Sequence, residues 1–339
     1  FYAKVMAPEA KEALQLLWTL VSDPWLKAED MDRERLVIAE EIAETEDNFS
    51  DAVEQQYMQT LFAGTALGHD VLGDKTHLAA LTAWQLQQFH RRWYQSENMV
   101  LAVAGQGVED ILKEAEKLPA LAGRFGPALR TPLPPITAGS SAVVRKRAEQ
   151  VHVMIGGTAP ALNQEEYAAS VLLATVMGGQ NSSRLWQRLR EQEGLVYTVS
   201  SDYSAQEDWG DFSTYFSVNP KLLPEALKAV AEEMAIMMRK GPGADELKWA
   251  QVQAATTLAF AQETPDGRVQ HLGSVGLSGR VAREREESLA QIYRVTPQTI
   301  QELSQKLWAD PHKLAAVAVG PVPQKIGDLR HEILAAVTR

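Results

Sequence analysis

The amino-acid sequence predicts an α+β protein built from two similar domains, each with a mixed or antiparallel sheet covered by helices. Short apolar runs of strand length alternate with longer segments of helical periodicity. Part of the first half recurs in the second half. Residues 123–141 are rich in Pro and Gly and suit a linker. The 339 residues suffice for two domains of roughly 150 residues each.

In the first half, residues 1–5 predict a strand, and apolar spacing then predicts a series of helices. These helices are expected at residues 8–22, 29–44, 52–62 and 74–81. Thr82 is expected to cap a further helix that extends to Tyr94. The apolar run 98–104 ends at Gly105 and predicts a buried strand.

In the second half, four segments predict strands and the remainder is mainly helical. The strands are expected at residues 150–155, 195–201, 210–218 and 314–319. Two helices lie between the first two strands. One covers residues 165–177 and ends at Gly178-Gly179, and the other covers residues 182–191 with Gly194 as its cap.

The two halves contain an internal duplication. Residues 82–94 and the following Leu101-Ala-Val-Ala recur as residues 296–308 and Ala315-Ala-Val-Ala, at an offset of 214. The second unit starts near Ala148, so equal halves would place the start of the first about 65 residues before Phe1. We expect the native polypeptide to supply that missing strand, helix and hairpin.

Composition and charge exclude several kinds of function. The net charge is −11 and no Lys/Arg-rich run occurs, so nucleic acid is not an expected partner. The chain has no cysteine, which excludes disulfides and thiolate zinc sites. No apolar run reaches about 18 residues, so no membrane span is expected. The compartment is not predicted, and the bacterial periplasm and the cytoplasm both stay open.

Two carboxylates lie on one face of the helix predicted at residues 29–44. Glu34 and Glu41 are seven positions apart, and apolar residues occupy much of the remaining circumference. A helix that is apolar on several sides is expected to be buried, and buried carboxylates need a cation, donors or a metal. Alternatively, the two acids belong to a solvated face with Arg33 and Arg35. The duplicated helix has Leu247 and Ala254 at the matching positions.

Four segments carry a family resemblance, and they cover essentially the whole chain. They are residues 32–42 (DRERLVIAEEI), 67–73 (LGHDVLG), 98–105 (NMVLAVAG) and 182–197, which contains SSRL and REQEGLVY. Together they resemble the pitrilysin/insulinase family of zinc peptidases, in particular its bacterial processing-peptidase-like branch. The first segment looks like the second metal motif of that family, and the last resembles the signature of its C-terminal domain.

The resemblance implies a zinc-dependent metalloendopeptidase that hydrolyses peptides or small unfolded proteins. Two α+β domains would face each other across a cavity. The family binds zinc with an inverted His-x-x-Glu-His motif on a helix and a distal Glu. This implies Glu41 as the distal ligand and Glu34 as a supporting acid. Three protein ligands leave zinc an open position for the water that attacks the peptide.

The sequence departs from the family at the metal motif, because no His-x-x-Glu-His occurs in it. Family spacing would place the last His roughly 35 residues before Phe1. We therefore expect residues 1–122 to be the remainder of a zinc-binding domain, 123–147 a linker, and 148–339 an inactive, substrate-binding domain. The chain as given is expected to be inactive. The alternatives are a non-catalytic homologue that binds peptide or partners a catalytic subunit, and a structural member of a larger assembly.

The resemblance assigns two further site residues to the second half. Arg190 and Tyr197 match the family residues that hydrogen-bond the substrate backbone and help stabilise the oxyanion. Their own positions also allow a local structural role, for an Arg at a helix end and a Tyr on a strand. Arg184 is expected to be structural, and the seven histidines show no ligand spacing. The expected partners are a peptide substrate and a second subunit, in a homodimer or a heterodimer with a related chain.

Overall fold

The computed structural model describes residues 1–121, 139–162, 164–279, 285–326 and 329–330, and the chain has an α+β fold. It forms two compact units. Unit 1 contains residues 1–40, 74–131 and 256–284, and unit 2 contains residues 41–73, 132–255 and 285–339. Over the described ranges, no helix combines the length and the apolar character that a bilayer crossing needs.

Helices fill most of the first 121 residues. They are α1 (Ala10–Ser22), α2 (Ala28–Asp47), α3 (Phe49–Leu61), α4 (Lys75–Ala80), α5 (Ala83–Trp93) and α6 (Val108–Ala115). The first five confirm the helices predicted from apolar spacing. The cap predicted at Thr82 is also confirmed, since Thr82 and Gln85 form a capping box at the start of α5. Helix α6 was not predicted, and no side chain caps its start.

The second half alternates strands and helices in the predicted order. The elements are β1 (Ser141–Arg145), β2 (Val151–Thr158), α7 (Tyr167–Gly178), a π-helix (Trp186–Gln192), β3 (Val196–Ala205), β4 (Gly210–Val218), α8 (Leu223–Lys240), α9 (Ala244–Ala261), α10 (Pro265–Leu277), α11 (Arg285–Arg294), α12 (Pro297–Trp308) and β5 (Ala315–Gly320). The four strands predicted for this half are confirmed. The helix predicted at residues 182–191 is wound mainly as a π-helix.

The sheet of unit 2 has five strands in the order β1-β5-β2-β4-β3. Strands β1 and β5 are parallel, and the other neighbours are antiparallel. Val153 pairs with Phe216 on one side and with Ala318 on the other, and all three are buried. Every residue of β5 is buried, which explains why this strand is a continuous apolar run.

Helix α3 packs on one face of this sheet. Its buried residues Val53, Tyr57 and Leu61 form a core cluster with alternate residues of β5, which are Ala315, Val317 and Val319. The apolar residues at positions i, i+4 and i+8 lie on one face of α3. This face packs on every second residue of β5, because alternate residues of a strand point to the same face of the sheet. This contact fixes the helix that directly follows α2.

The duplication predicted from the sequence is visible in the helices of the two halves. Helices α3 and α10 have 13 residues each, and capping boxes start both α5 and α12. Gly105 directly follows the first recurring segment, Gly320 lies two residues beyond the second, and their φ angles are 132° and 127°. Both copies are therefore followed by a glycine with a positive φ, a conformation that favours glycine.

Two of the predicted strands are wrong. Residues 1–5 form no strand, and Phe1 and Tyr2 are largely exposed. Residues 98–104 also form no strand, although they match β5 in sequence. A strand is stabilised by hydrogen bonds to a neighbouring strand. The described residues of unit 1 contain no strand that could pair with either segment.

The predicted linker lies partly outside the described residues. Residues 123–138 are not described, and Ser141–Arg145, which we placed inside the linker, is strand β1. The surrounding Pro and Gly residues outweighed the short apolar run Ala142-Val143-Val144. The domain boundaries 1–122 and 148–339 stay a prediction.

Candidate functional site

The acidic residues Glu34 and Glu41 lie on α2, which Arg35 ties to the end of α4. Arg35 Nε donates to the carbonyl of Leu78 at 3.0 Å, and Nη2 donates to that of Leu81 at 2.7 Å. Arg35 also pairs with Asp32 at 2.6 Å. These bonds fix the rotation of the helix that carries both acids.

The expectation that α2 is buried is wrong. Ile42 is its buried residue, whereas Leu36 is 69% exposed and Val37 is 47% exposed. Both Glu34 and Glu41 are exposed. Apolar side chains are buried only where another element packs on them, and the described residues provide no such cover for this face of α2. The alternative of a solvated face therefore describes α2 in this structure.

The described residues do not fit a complete zinc site. Among them, no group of three or more His, Cys, Asp or Glu side chains could hold a metal ion. Zinc sites need three or four protein ligands. Glu41 could supply one carboxylate and Glu34 a second, so this chain as described contributes at most part of such a site.

Arg190 and Tyr197 are in direct contact. Arg190 Nη1 donates a hydrogen bond to the backbone carbonyl of Tyr197 at 2.7 Å. The guanidinium also lies over two rings, at 4.4 Å from the Trp186 centroid and at 5.3 Å from the Tyr197 centroid. Such cation–π contacts limit the rotation of the long Arg side chain. Tyr197 itself is 68% exposed, so its phenol remains accessible to a ligand.

The contact between Arg190 and Tyr197 depends on the way the chain leaves the π-helix. Leu185 and Leu189 are fully buried and anchor the inner side of this segment. Gly194 has a φ of +61°, and the amide of Leu195 then donates to the carbonyl of Leu189 at 2.7 Å. This closed turn leads directly into β3 and brings Tyr197 back beside Arg190.

Two further arginines hold this segment to the rest of unit 2. Arg184 donates to both carboxylate oxygens of Glu246, at 2.6 and 2.8 Å, and to the carbonyl of Gly241 at 3.2 Å. Its side chain is mostly buried. These bonds support the structural role that we predicted for Arg184.

Arg188 contacts three carboxylates and was not singled out from the sequence. Its Nε donates to Glu193 at 2.8 Å, its Nη1 to Glu233 at 3.1 Å, and its Nη2 to Glu232. Burial alone lowers the pKa of the guanidinium, but the hydrogen bonds to these carboxylates raise it above its ordinary value. The signal available in the sequence was the five-residue spacing of Arg188 and Glu193. Side chains at this spacing lie on the same face only in a π-helix.

Sequence reasoning also missed a buried acid beside α3. Asp211 on β4 is buried, and burial followed by the charges of Glu54 and Asp202 raises its pKa to about 7. The hydroxyl of Tyr57 is fully buried and has no hydrogen-bond partner among the described residues. The signal for this cluster was Asp211 itself, which is the one charged residue in the sequence of β4.

The structure therefore joins two of the four predicted site residues, Arg190 and Tyr197. It leaves Glu34 and Glu41 without a metal-binding group among the described residues. Arg190 and the Tyr197 phenol can bind carbonyl oxygens, because both are donors on an accessible surface. The roles of all four residues stay predictions.

Two family models match the sequence. The model described as "Insulinase (Peptidase family M16)" matches residues 1–75, and "Peptidase M16 inactive domain" matches residues 80–253. An uncharacterized zinc protease of Streptomyces coelicolor is 29% identical over 345 residues, which cover 99% of this chain and 74% of the relative. An uncharacterized zinc protease of Mycobacterium leprae is 30% identical and covers 96% and 74%.

The fold also matches solved structures. A crystal structure of a peptidase M16 inactive domain from Pseudomonas fluorescens has a TM-score of 0.82 and 22% sequence identity. The match covers 94% of this chain and 76% of that chain. This likeness shows a shared fold, and the chain spans about three quarters of the proteins it matches.

Proposed function

The chain belongs to peptidase family M16, the insulinase family, and we propose that it forms most of a zinc-dependent metalloendopeptidase. The substrates would be peptides or small unfolded proteins. Relatives named zinc proteases, aligned over nearly the whole chain, support this assignment. Glu41 would supply one zinc ligand, and Glu34 would be a supporting acid. Two His ligands and a Glu base would come from residues outside this sequence.

The observation that carries the proposal is the arrangement of Arg190 and Tyr197. Arg190 is held by the Tyr197 carbonyl and by two aromatic rings, while the Tyr197 phenol stays exposed. A guanidinium has five N–H donors, so the bond to Tyr197 leaves further donors for a ligand. Donors held in place before the substrate binds stabilise a carbonyl oxygen as it becomes an oxyanion. The pair would also orient the peptide backbone.

The test is a comparison of two neighbouring acids on α2 in the full-length gene product. We expect Glu41→Gln to lose bound zinc and to reduce peptide turnover by at least roughly 100-fold, because a metal ligand is removed. Glu40→Gln is the matched control, since Glu40 is exposed on the same helix and is expected to change neither quantity. Zinc content by mass spectrometry and cleavage of a quenched peptide give the two readouts. A Glu41→Gln variant with normal zinc content and turnover would refute the proposal.

A second function is the alternative, in which the full-length protein also lacks the metal motif. The sequence contains no His-x-x-Glu-His, and the described residues contain no complete metal-binding group. In this case the protein would be a non-catalytic M16 homologue that binds peptide or partners a catalytic subunit. Full-length protein would then bind peptide without zinc and without cleaving it. Light scattering would show whether it forms a homodimer or needs a related chain.

A further inference from the structure

In the π-helix before β3, two side-chain pairs join residues that are five positions apart. Trp186 Nε1 donates to Glu191 at 3.3 Å, and Arg188 Nε donates to Glu193 at 2.8 Å. The amide of Glu193 also donates to the carbonyl of Arg188 at 3.0 Å. Residues five apart in an α-helix are turned about 140° from each other and cannot form such pairs. Both side-chain pairs therefore stabilise the π register over the α register.

Arg188 also anchors this register to α8. It binds Glu232 and Glu233 on α8, and Glu233 lies 4.0 Å from Arg184 on its other side. Glu233 is the least exposed acid of the network, at 12% side-chain exposure. A partly buried charge network of this kind has strict geometry, because each carboxylate needs its own donor.

We infer that Arg188 is a positioning residue, which holds the π register and thereby fixes Arg190 against Trp186 and Tyr197. In sequence, Arg190 lies between Arg188 and Glu193, which bond to each other through their side chains and through the backbone. If the segment rewound to an α-helix, every residue after Arg188 would rotate, and Arg190 would leave the Tyr197 carbonyl. The positioning of Arg190 follows from the contacts in this structure, whereas an effect of Arg188 on substrate turnover rests on the proposed function.

Hydrogen exchange on the full chain tests the positioning itself. Glu193→Gln removes the charge of an exposed partner and keeps the side-chain shape, so the fold should persist. We expect the Glu193 and Leu195 amides to exchange roughly tenfold faster, because the hydrogen bonds of the π turn open more often. Arg188→Lys should do the same, and Glu225→Gln on the exposed side of α8 is the control. Unchanged exchange in both test variants would overturn the inference.

Kinetics of the full-length gene product test whether Arg188 acts through Arg190. We expect Glu193→Gln to lower kcat/KM roughly tenfold in the wild-type background and to have no further effect in an Arg190→Gln background. A general structural role would reduce activity equally in both backgrounds and would overturn the inference. If Arg190→Gln leaves turnover unchanged while exchange responds to Glu193→Gln, the substrate-binding role proposed for Arg190 fails and the positioning role stands. If the wild-type full-length protein has no turnover while exchange responds to Glu193→Gln, the proposed function fails and the positioning role stands.

Discussion

At the scale of single residues, Tyr57 and Asp211 place two titratable groups in the core of unit 2, and the pKa of each is raised. A Cβ at Gly156 would lie 2.5 Å from the Tyr57 hydroxyl and 2.1 Å from the carbonyl of Phe212. Only glycine therefore lets the Tyr57 ring reach this depth. Burial, and then the charge of Asp211, raise the pKa of Tyr57. The Tyr57 hydroxyl and the Asp211 carboxyl are thus buried away from water, and this loss of hydration opposes folding.

The first prediction concerns the Tyr57 hydroxyl. A buried hydroxyl without a partner costs about 1–3 kcal/mol, so Tyr57→Phe should raise the free energy of unfolding by about 1 kcal/mol. Tyr215→Phe is the matched control, because the Tyr215 hydroxyl lies 2.8 Å from His152 Nδ1 and its loss should destabilise the protein. Urea titration of both variants measures the difference. Destabilisation by Tyr57→Phe would show that the hydroxyl has a partner in solution.

The second prediction concerns the pH dependence of stability through Asp211. The pKa of this carboxyl is about 7 in the folded chain against 3.8 for the free group. Its contribution to stability is therefore complete below about pH 3.8 and is lost as the pH rises through 7. Between pH 5 and pH 7 the wild type should lose about 2 kcal/mol of unfolding free energy relative to Asp211→Asn.

Urea midpoints of the wild type and Asp211→Asn at several pH values measure this loss. Glu54→Gln should move the loss to lower pH, because Glu54 is the larger of the two charge effects on Asp211. Parallel curves for the wild type and Asp211→Asn would contradict the raised pKa.

At the scale of secondary-structure elements, helices were predictable because their signals are local. Apolar spacing and caps such as Thr82 and Thr296 act within a few residues, and both capping boxes are present. Strands depend on a distant partner. Leu101-Ala-Val-Ala and Ala315-Ala-Val-Ala are nearly the same sequence, yet only the second is a strand, because β2 and β1 flank it.

The candidate site was predictable to the same limited extent. The seven-residue spacing of Arg190 and Tyr197 matched a family pattern, and the structure places the two residues in contact. The π register and the Arg188 network were not predictable, because they require knowledge of α8 and of a helix type that few sequences signal. The exposure of Glu41 was misjudged because apolar neighbours on a helix do not show whether anything covers them.

The third prediction uses the two capping boxes as a matched pair. Thr296→Ala should cost about 1 kcal/mol of unfolding free energy, because the Thr299 amide of α12 loses its acceptor at 3.2 Å. Helix α12 buries Ile300, Leu303 and Trp308, so fraying at its start is transmitted to the core. Thr82→Ala should cost less, since α5 has no fully buried residue. Equal losses in thermal unfolding would indicate that both helices are equally packed.

At the scale of the whole molecule, the repeated helices pack against the repeated segments in the same way within each unit. In unit 2, α3 lies on β5. In unit 1, α10 lies along residues 100–102, where a Cβ at Gly276 would be 2.7 Å from Val100 Cγ1. The helix thus comes from one half of the sequence and the segment from the other half in both units. This exchange explains why the two units do not follow the halves of the chain.

The fourth prediction compares the two copies of the recurring segment within one chain. The amides of residues 316–319 should be among the slowest to exchange with solvent, because β5 lies between two strands and is covered by α3. The amides of residues 101–104 should exchange at least roughly 100-fold faster, since no strand pairs with them among the described residues of unit 1. Hydrogen exchange with peptide-level mass spectrometry measures both segments in one sample. Because the two sequences are nearly identical, intrinsic exchange rates cannot produce the difference. Strong protection of residues 101–104 would mean that this segment pairs with a strand in solution.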